Sequence, residues 1–109
     1  DSEEPVSVFA PYRGTKVAIY SLDESSARRA AKILSEAEPD CSVSVNFDHV
    51  ATDRLRSLAQ NSDVFVFVYR KATHSAFDCV QEIRGSNLVQ PSGKGSASII
   101  RELERTASS

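Results

Sequence analysis

At 109 residues, 40% hydrophobic and 26% charged, the chain is long enough for one apolar core and holds no apolar run of membrane-spanning length. A net charge of -2 excludes the basic surface on which non-specific nucleic-acid binding depends. Two cysteines, Cys41 and Cys79, are too few for a disulfide framework or a zinc site, so both read as reduced, packed thiols in a cytoplasmic setting.

Residues 1–15 carry three acids, two prolines and Gly14, a mixture that does not sustain a helix, and they read as a linker or N-terminal extension. Within them Val6-Ser7-Val8-Phe9 has the pattern of a short edge strand. The lack of methionine points to a domain cut from a longer protein, with no leader at its start. A single Rossmann-like domain is expected over residues 16–107.

Lys16-Val17-Ala18-Ile19-Tyr20-Ser21-Leu22 is mostly apolar and predicts the first core strand. From Asp23 the period becomes helical: Ala27, Ala30, Ala31, Leu34 and Ala37 recur at three- and four-residue steps, with Arg28, Arg29 and Lys32 opposite. Asp23 or Ser25 supplies an N-cap, and Pro39 ends the helix. Cys41-Ser42-Val43-Ser44-Val45-Asn46-Phe47-Asp48 alternates strictly, which places it at a sheet edge with one face in water. Thr52 or Asp53 opens a second helix that buries Leu55, Leu58 and Ala59.

Val64-Phe65-Val66-Phe67-Val68 is an unbroken apolar run, the pattern of a central strand covered on both faces. A third helix over residues 74–84 buries Ala76, Cys79, Val80 and Ile83, and Gly85 closes it. Leu88-Val89-Gln90-Pro91 predicts a short fourth strand. Ile99, Ile100 and Leu103 mark a last helix that frays toward Ser109. Alternating strands and helices predict an α/β three-layer α-β-α sandwich, Rossmann-like or flavodoxin-like, with a four-stranded parallel sheet of order 2-1-3-4.

In such sheets ligands bind beyond the carboxyl ends of the strands. The residues there are Asp23, Glu24 and Ser25, then His49, then Lys71, Thr73, His74 and Ser75, and last Gly93-Lys94-Gly95-Ser96. The Gly93 to Ser96 turn opens a helix, whose free N–H groups and dipole favour phosphate or carboxylate, with Lys94 adding charge. A plain strand-to-helix turn with a serine cap accounts for the same residues. The Walker A spacing is absent. Thr73 or Ser75 equally serves as a cap for the third helix, with His74 at the surface.

No catalytic residue is assigned. Cys79 falls on an apolar helix face and reads as packing rather than nucleophile. Ser75 with His49 as base lacks a nucleophile elbow. The third strand ends in Tyr69-Arg70, without the aspartate of a phosphorelay receiver. No ligand spacing enforces a metal site, and no cofactor is implied.

The same ordered features resemble the bacterial DUF2325 family: His49 after the second strand, Ser62-Asp63-Val64, Thr73-His74-Ser75-Ala76 with Cys79 nearby, and Gly93-Lys94-Gly95-Ser96. The resemblance runs from about residue 16 to 104, with Ser21-Leu22-Asp23 where that family has Gly-Gly. It implies a small Rossmann-like domain, often joined to other modules, of unassigned activity.

The leading expectation is a non-catalytic binding or sensory domain for a small anionic ligand such as a nucleotide, held by Lys71, Thr73, His74, Ser75, the Gly93 to Ser96 turn and His49. Its other partners would be further domains of a parent protein, with no membrane involved. One alternative is a hydrolase or nucleotide-processing enzyme using His74 and Ser75. The other is a TIR-like interaction module that forms homo-oligomers.

Overall fold

The computed structural model describes residues 8–108. Strands β1 (Lys16–Tyr20), β2 (Ser42–Asn46) and β3 (Val64–Phe67) form a parallel sheet in the order β2-β1-β3. Helices α1 (Glu24–Ala37), α2 (Asp53–Asn61), α3 (His74–Arg84) and α4 (Ser96–Ser108) cover it. Short 3-10 turns occupy Ala10–Tyr12 and Tyr69–Lys71. The chain is therefore of the α/β class, with helices on both faces of the sheet.

Strand parity decides which helices each residue meets, because successive side chains point to opposite faces. Val17, Ile19, Val66 and Val68 pack with Ala27, Ala30 and Leu34 of α1 and Ile99 and Leu103 of α4. Ala18, Tyr20, Phe65 and Phe67 pack on the other face with Leu55 and Ala59 of α2 and Ala76 and Val80 of α3. The register keeps each layer continuous, with Ala18 opposite both Phe65 and Ser44. Each fully buried Leu, Ile or Phe side chain contributes roughly 1.5–3 kcal/mol. β2 half-buries Val43 and Val45 while Ser42 and Ser44 stay exposed, the alternation of an edge, but Asn46 on the expected wet face is buried with its side chain bonded to Asp48.

The expected fourth strand is not formed. Val89 makes a single parallel bridge to Val66, donating to the Phe65 carbonyl and accepting from the Phe67 N–H, both at 2.8 Å. The ladder fails on either side for separate reasons. Asn87, two residues before Val89, gives its N–H to the Arg84 carbonyl at 3.1 Å, and Pro91, two residues after it, has no N–H to donate. The sheet has three strands, and the 88–91 segment is a connection lying against β3.

Of the edge strand expected at 6–9, Val6 and Ser7 lie outside the described residues, and Val8 and Phe9 form a turn. Phe9 and Tyr12 are buried in the α1/α4 layer, and the Tyr12 hydroxyl donates to the Leu103 carbonyl of α4 at 2.6 Å. Three helix starts are capped by side chains that accept a backbone N–H: Asp23 from Ser26, Thr52 from Leu55 and Thr73 from Ala76. Gly85 closes α3 with a φ of 61°, in the range that only glycine enters at little cost. Among the described residues no helix is long and apolar enough to cross a membrane.

Candidate functional site

The carboxyl ends of β1 and β3 open onto one rim, built by the loop after Tyr20, the 3-10 turn Tyr69–Lys71 and the start of α3. Leu22 N–H donates to the Lys71 carbonyl at 2.7 Å, which ties the first of these to the second. Ser21, fully buried, accepts from the Asp23 N–H at 3.0 Å and shapes the turn into α1. Asp23 is thereby held at the rim. Its carboxylate accepts from Ser26, which depresses its pKa, and the positive charges of Lys71 and Lys94 lower it further.

Lys71 and Lys94, expected together at a binding rim, thus share one electrostatic neighbour. The turn that carries Lys94 is less suited to cradling phosphate than its composition suggests. Neither Gly93 nor Gly95 takes a positive φ, so the alternating backbone of an anion nest is absent there. Gly93 instead lies so close to Ser98 that a Cβ would meet its Oγ at 2.3 Å. Gly95 accepts from the N–H groups of Ser98 and Ile99, and Ser96 begins α4.

Next to Lys71 lies a cleft of about 220 Å³ lined by Phe67, Tyr69, Ala72, Thr73, His74 and Phe77. Thr73 contributes its N-cap oxygen to Ala76 at 3.1 Å, and His74 is exposed on the first turn of α3. The aromatic walls form a connected series. Tyr20 and Phe67 are parallel at 4.9 Å, Phe77 meets Phe67 edge-on at 5.4 Å, and Tyr69 meets Phe77 edge-on at 5.3 Å. Tyr69 ends the series 57% exposed.

Ser75 faces elsewhere. It lines a separate groove with Ala51, Arg56, Asp78 and Glu82, and its Oγ accepts from the Ala51 N–H at 3.3 Å. Consecutive residues on a helix diverge by about 100°, so His74 and Ser75 address different surfaces. His49 is exposed in the loop after β2, beside Asp48. Asp48 itself is committed to structure. It accepts from Thr52 at 2.6 Å and from Asn46 at 3.1 Å, and these bonds hold its pKa down, the Thr52 bond most.

Among the described residues no group of three or more His, Cys, Asp and Glu side chains is placed to hold a metal ion. Both cysteines are free and buried. By pattern Phe67 is core and Tyr69 ends the third strand, and Phe77 carries no signal of its own. The only available signal was an aromatic at each end of the Tyr69 to Phe77 interval, on either side of a helix cap.

A family model for DpdD-like proteins matches residues 1–102. The chain belongs to the DpdD-like family. This overturns the resemblance to DUF2325, and the structure explains why those motifs misled. Asp63 accepts from the Lys16 N–H at 2.8 Å, Thr73 caps α3, and Gly93 makes room for Ser98, three tasks that any similarly wound domain imposes. No curated protein and no solved structure matches this DpdD-like chain.

Proposed function

We propose that this chain is a non-catalytic binding or sensory domain that takes a small anionic molecule at the carboxyl ends of β1 and β3, within a larger protein whose other domains read out the binding. What supports this reading is the rim itself: the Leu22 N–H bond to the Lys71 carbonyl ties the lysine-bearing turn to the loop that holds Asp23, and the charges of Lys71 and Lys94 are both felt at Asp23. Asp23 is occupied in capping α1, accepting from both the N–H and the hydroxyl of Ser26. An anion placed there also meets the positive end of the α4 dipole.

Thermal unfolding across a panel of nucleotides and simple organic anions at millimolar concentration tests this. A ligand present at about 100 times its Kd adds about 2.7 kcal/mol, which raises the Tm by about ten degrees in a domain of this size. A flat response across the whole panel overturns the proposal.

The hydrolytic alternative loses support from the separation of His74 and Ser75 into different grooves. Self-association of the TIR-like kind draws on one observation, the position of β2 at the sheet edge with Ser42 and Ser44 exposed. Sedimentation showing a dimer that dissolves on placing proline at Val43, whose N–H points to the free edge, would favour it.

A further inference from the structure

We infer that the cleft at the carboxyl end of β3 is a ring-binding subsite, so that the anionic ligand is a nucleotide whose base stacks on Tyr69 while its phosphate lies toward Lys71 and Lys94. This rests on the anion-binding reading above and adds a second, chemically different half to the site.

Three of the six lining residues are aromatic, and their rings are fixed from the inside outward. Phe67 is buried and stacked on Tyr20, Phe77 is braced edge-on against Phe67, and Tyr69 against Phe77. Tyr69 is the outermost of these rings, with most of its surface in water at the mouth of the cleft. A rigid aromatic platform of this kind suits a base, because every base has a π face and stacking needs no particular hydrogen-bond pattern.

The polar complement is supplied by the same short segment. Lys71 follows Tyr69 by two residues in the 3-10 turn, and exposed His74 lines the same cleft. Platform, charge and polar edge are therefore carried by residues 69–74. At about 220 Å³ the cleft lies below the roughly 300–1,000 Å³ of pockets that enclose drug-sized ligands. It accommodates one ring system and leaves the sugar and phosphate outside, on the side of the lysines.

Calorimetric titration of the chain with four nucleoside monophosphates, the matching nucleosides and inorganic phosphate tests the pairing, with Tyr69→Ala, Tyr69→Phe and Lys94→Ala as variants and circular dichroism as the check on folding. Tyr69 is exposed, so its variants should fold. The expected result is monophosphate binding that weakens tenfold or more in Tyr69→Ala, stays within about threefold in Tyr69→Phe, and weakens in Lys94→Ala while nucleoside binding does not. Nucleotide binding unaffected by Tyr69→Ala overturns the ring subsite and leaves the anionic rim standing. Nucleoside binding indifferent to phosphate and to Lys94 retains the ring subsite and overturns the anionic rim. No binding by any of these ligands overturns both.

Discussion

The hydroxyl of Tyr20 donates to the backbone carbonyl of Asp48 across 2.6 Å, joining the end of the central strand to the loop that leaves β2. Burial pushes the Tyr20 pKa up, and hydrogen bonding with Thr73 opposes that shift, so one phenol touches the loops on both sides of β1. Tyr20→Phe keeps the stack on Phe67 and removes the hydroxyl's bonds to both loops. The expected cost is about 1 kcal/mol in urea unfolding, with faster amide exchange over residues 47–52. Unchanged exchange there would mean that the Asn46, Asp48 and Thr52 bonds hold the loop by themselves.

Arg84 performs a comparable task at the opposite end of the sheet. Its guanidinium donates to the carbonyls of Ala59, Ser62, Asp63 and Asn87 and lies over the Phe65 ring. It thus satisfies carbonyls that the end of α2 leaves without helical partners. Arg84→Lys keeps the charge but loses the planar fork, and a loss of about 1–3 kcal/mol is expected. A lower urea midpoint at constant m-value is the signature to look for.

Gly93→Ala separates packing from ligand binding in the glycine turn. The new Cβ would meet Ser98 Oγ at 2.3 Å and Ser98 Cβ at 3.1 Å. The hydroxyl can rotate away, so a loss of about 1 kcal/mol is expected, and Ser98→Ala in the same chain should restore part of it. Destabilisation that Ser98→Ala leaves untouched would place the strain in the backbone instead.

How legible this fold was depended on the range of the interactions involved. The parity of Val17, Ile19, Val66 and Val68 against Ala18, Tyr20, Phe65 and Phe67 follows from the strand period alone, and the caps at Asp23, Thr52 and Thr73 from local hydrogen bonding. The 88–91 segment has the composition of a strand, and although Pro91 marks a missing donor in the sequence, the turn that precedes Val89 shows only in the fold. The burial of Tyr12 depends on Leu103, 91 positions away, so Pro11 and Gly14 made its segment look like linker. The aromatic cleft was hidden for a similar reason. Phe67 reads as core by pattern, and only the turn at Tyr69–Lys71 folds Tyr69 back onto Phe77.

Tyr12 gives the fold an alkaline limit. Its phenol is buried against α4, and that burial, with smaller contributions from Cys41 and Glu102, pushes its pKa from the ordinary value of 10.0 up to about 12. In the unfolded chain the proton leaves near 10, whereas the folded chain retains it until about 12. Between these values the unfolded state binds fewer protons, so stability falls as pH rises. The contribution is complete below pH 10, is lost progressively across the window, and amounts to roughly 2–3 kcal/mol at 1.36 kcal/mol per unit. Tyr12→Phe removes the titration together with the bond to Leu103. The variant should be less stable than the parent at pH 8, by about 1 kcal/mol, and should lose less stability on going to pH 12. Urea unfolding at intervals from pH 8 to pH 12 makes the comparison. Parallel curves for the two proteins would show that the phenol titrates alike in both states, and that Tyr12 contributes through packing and its bond to Leu103 alone.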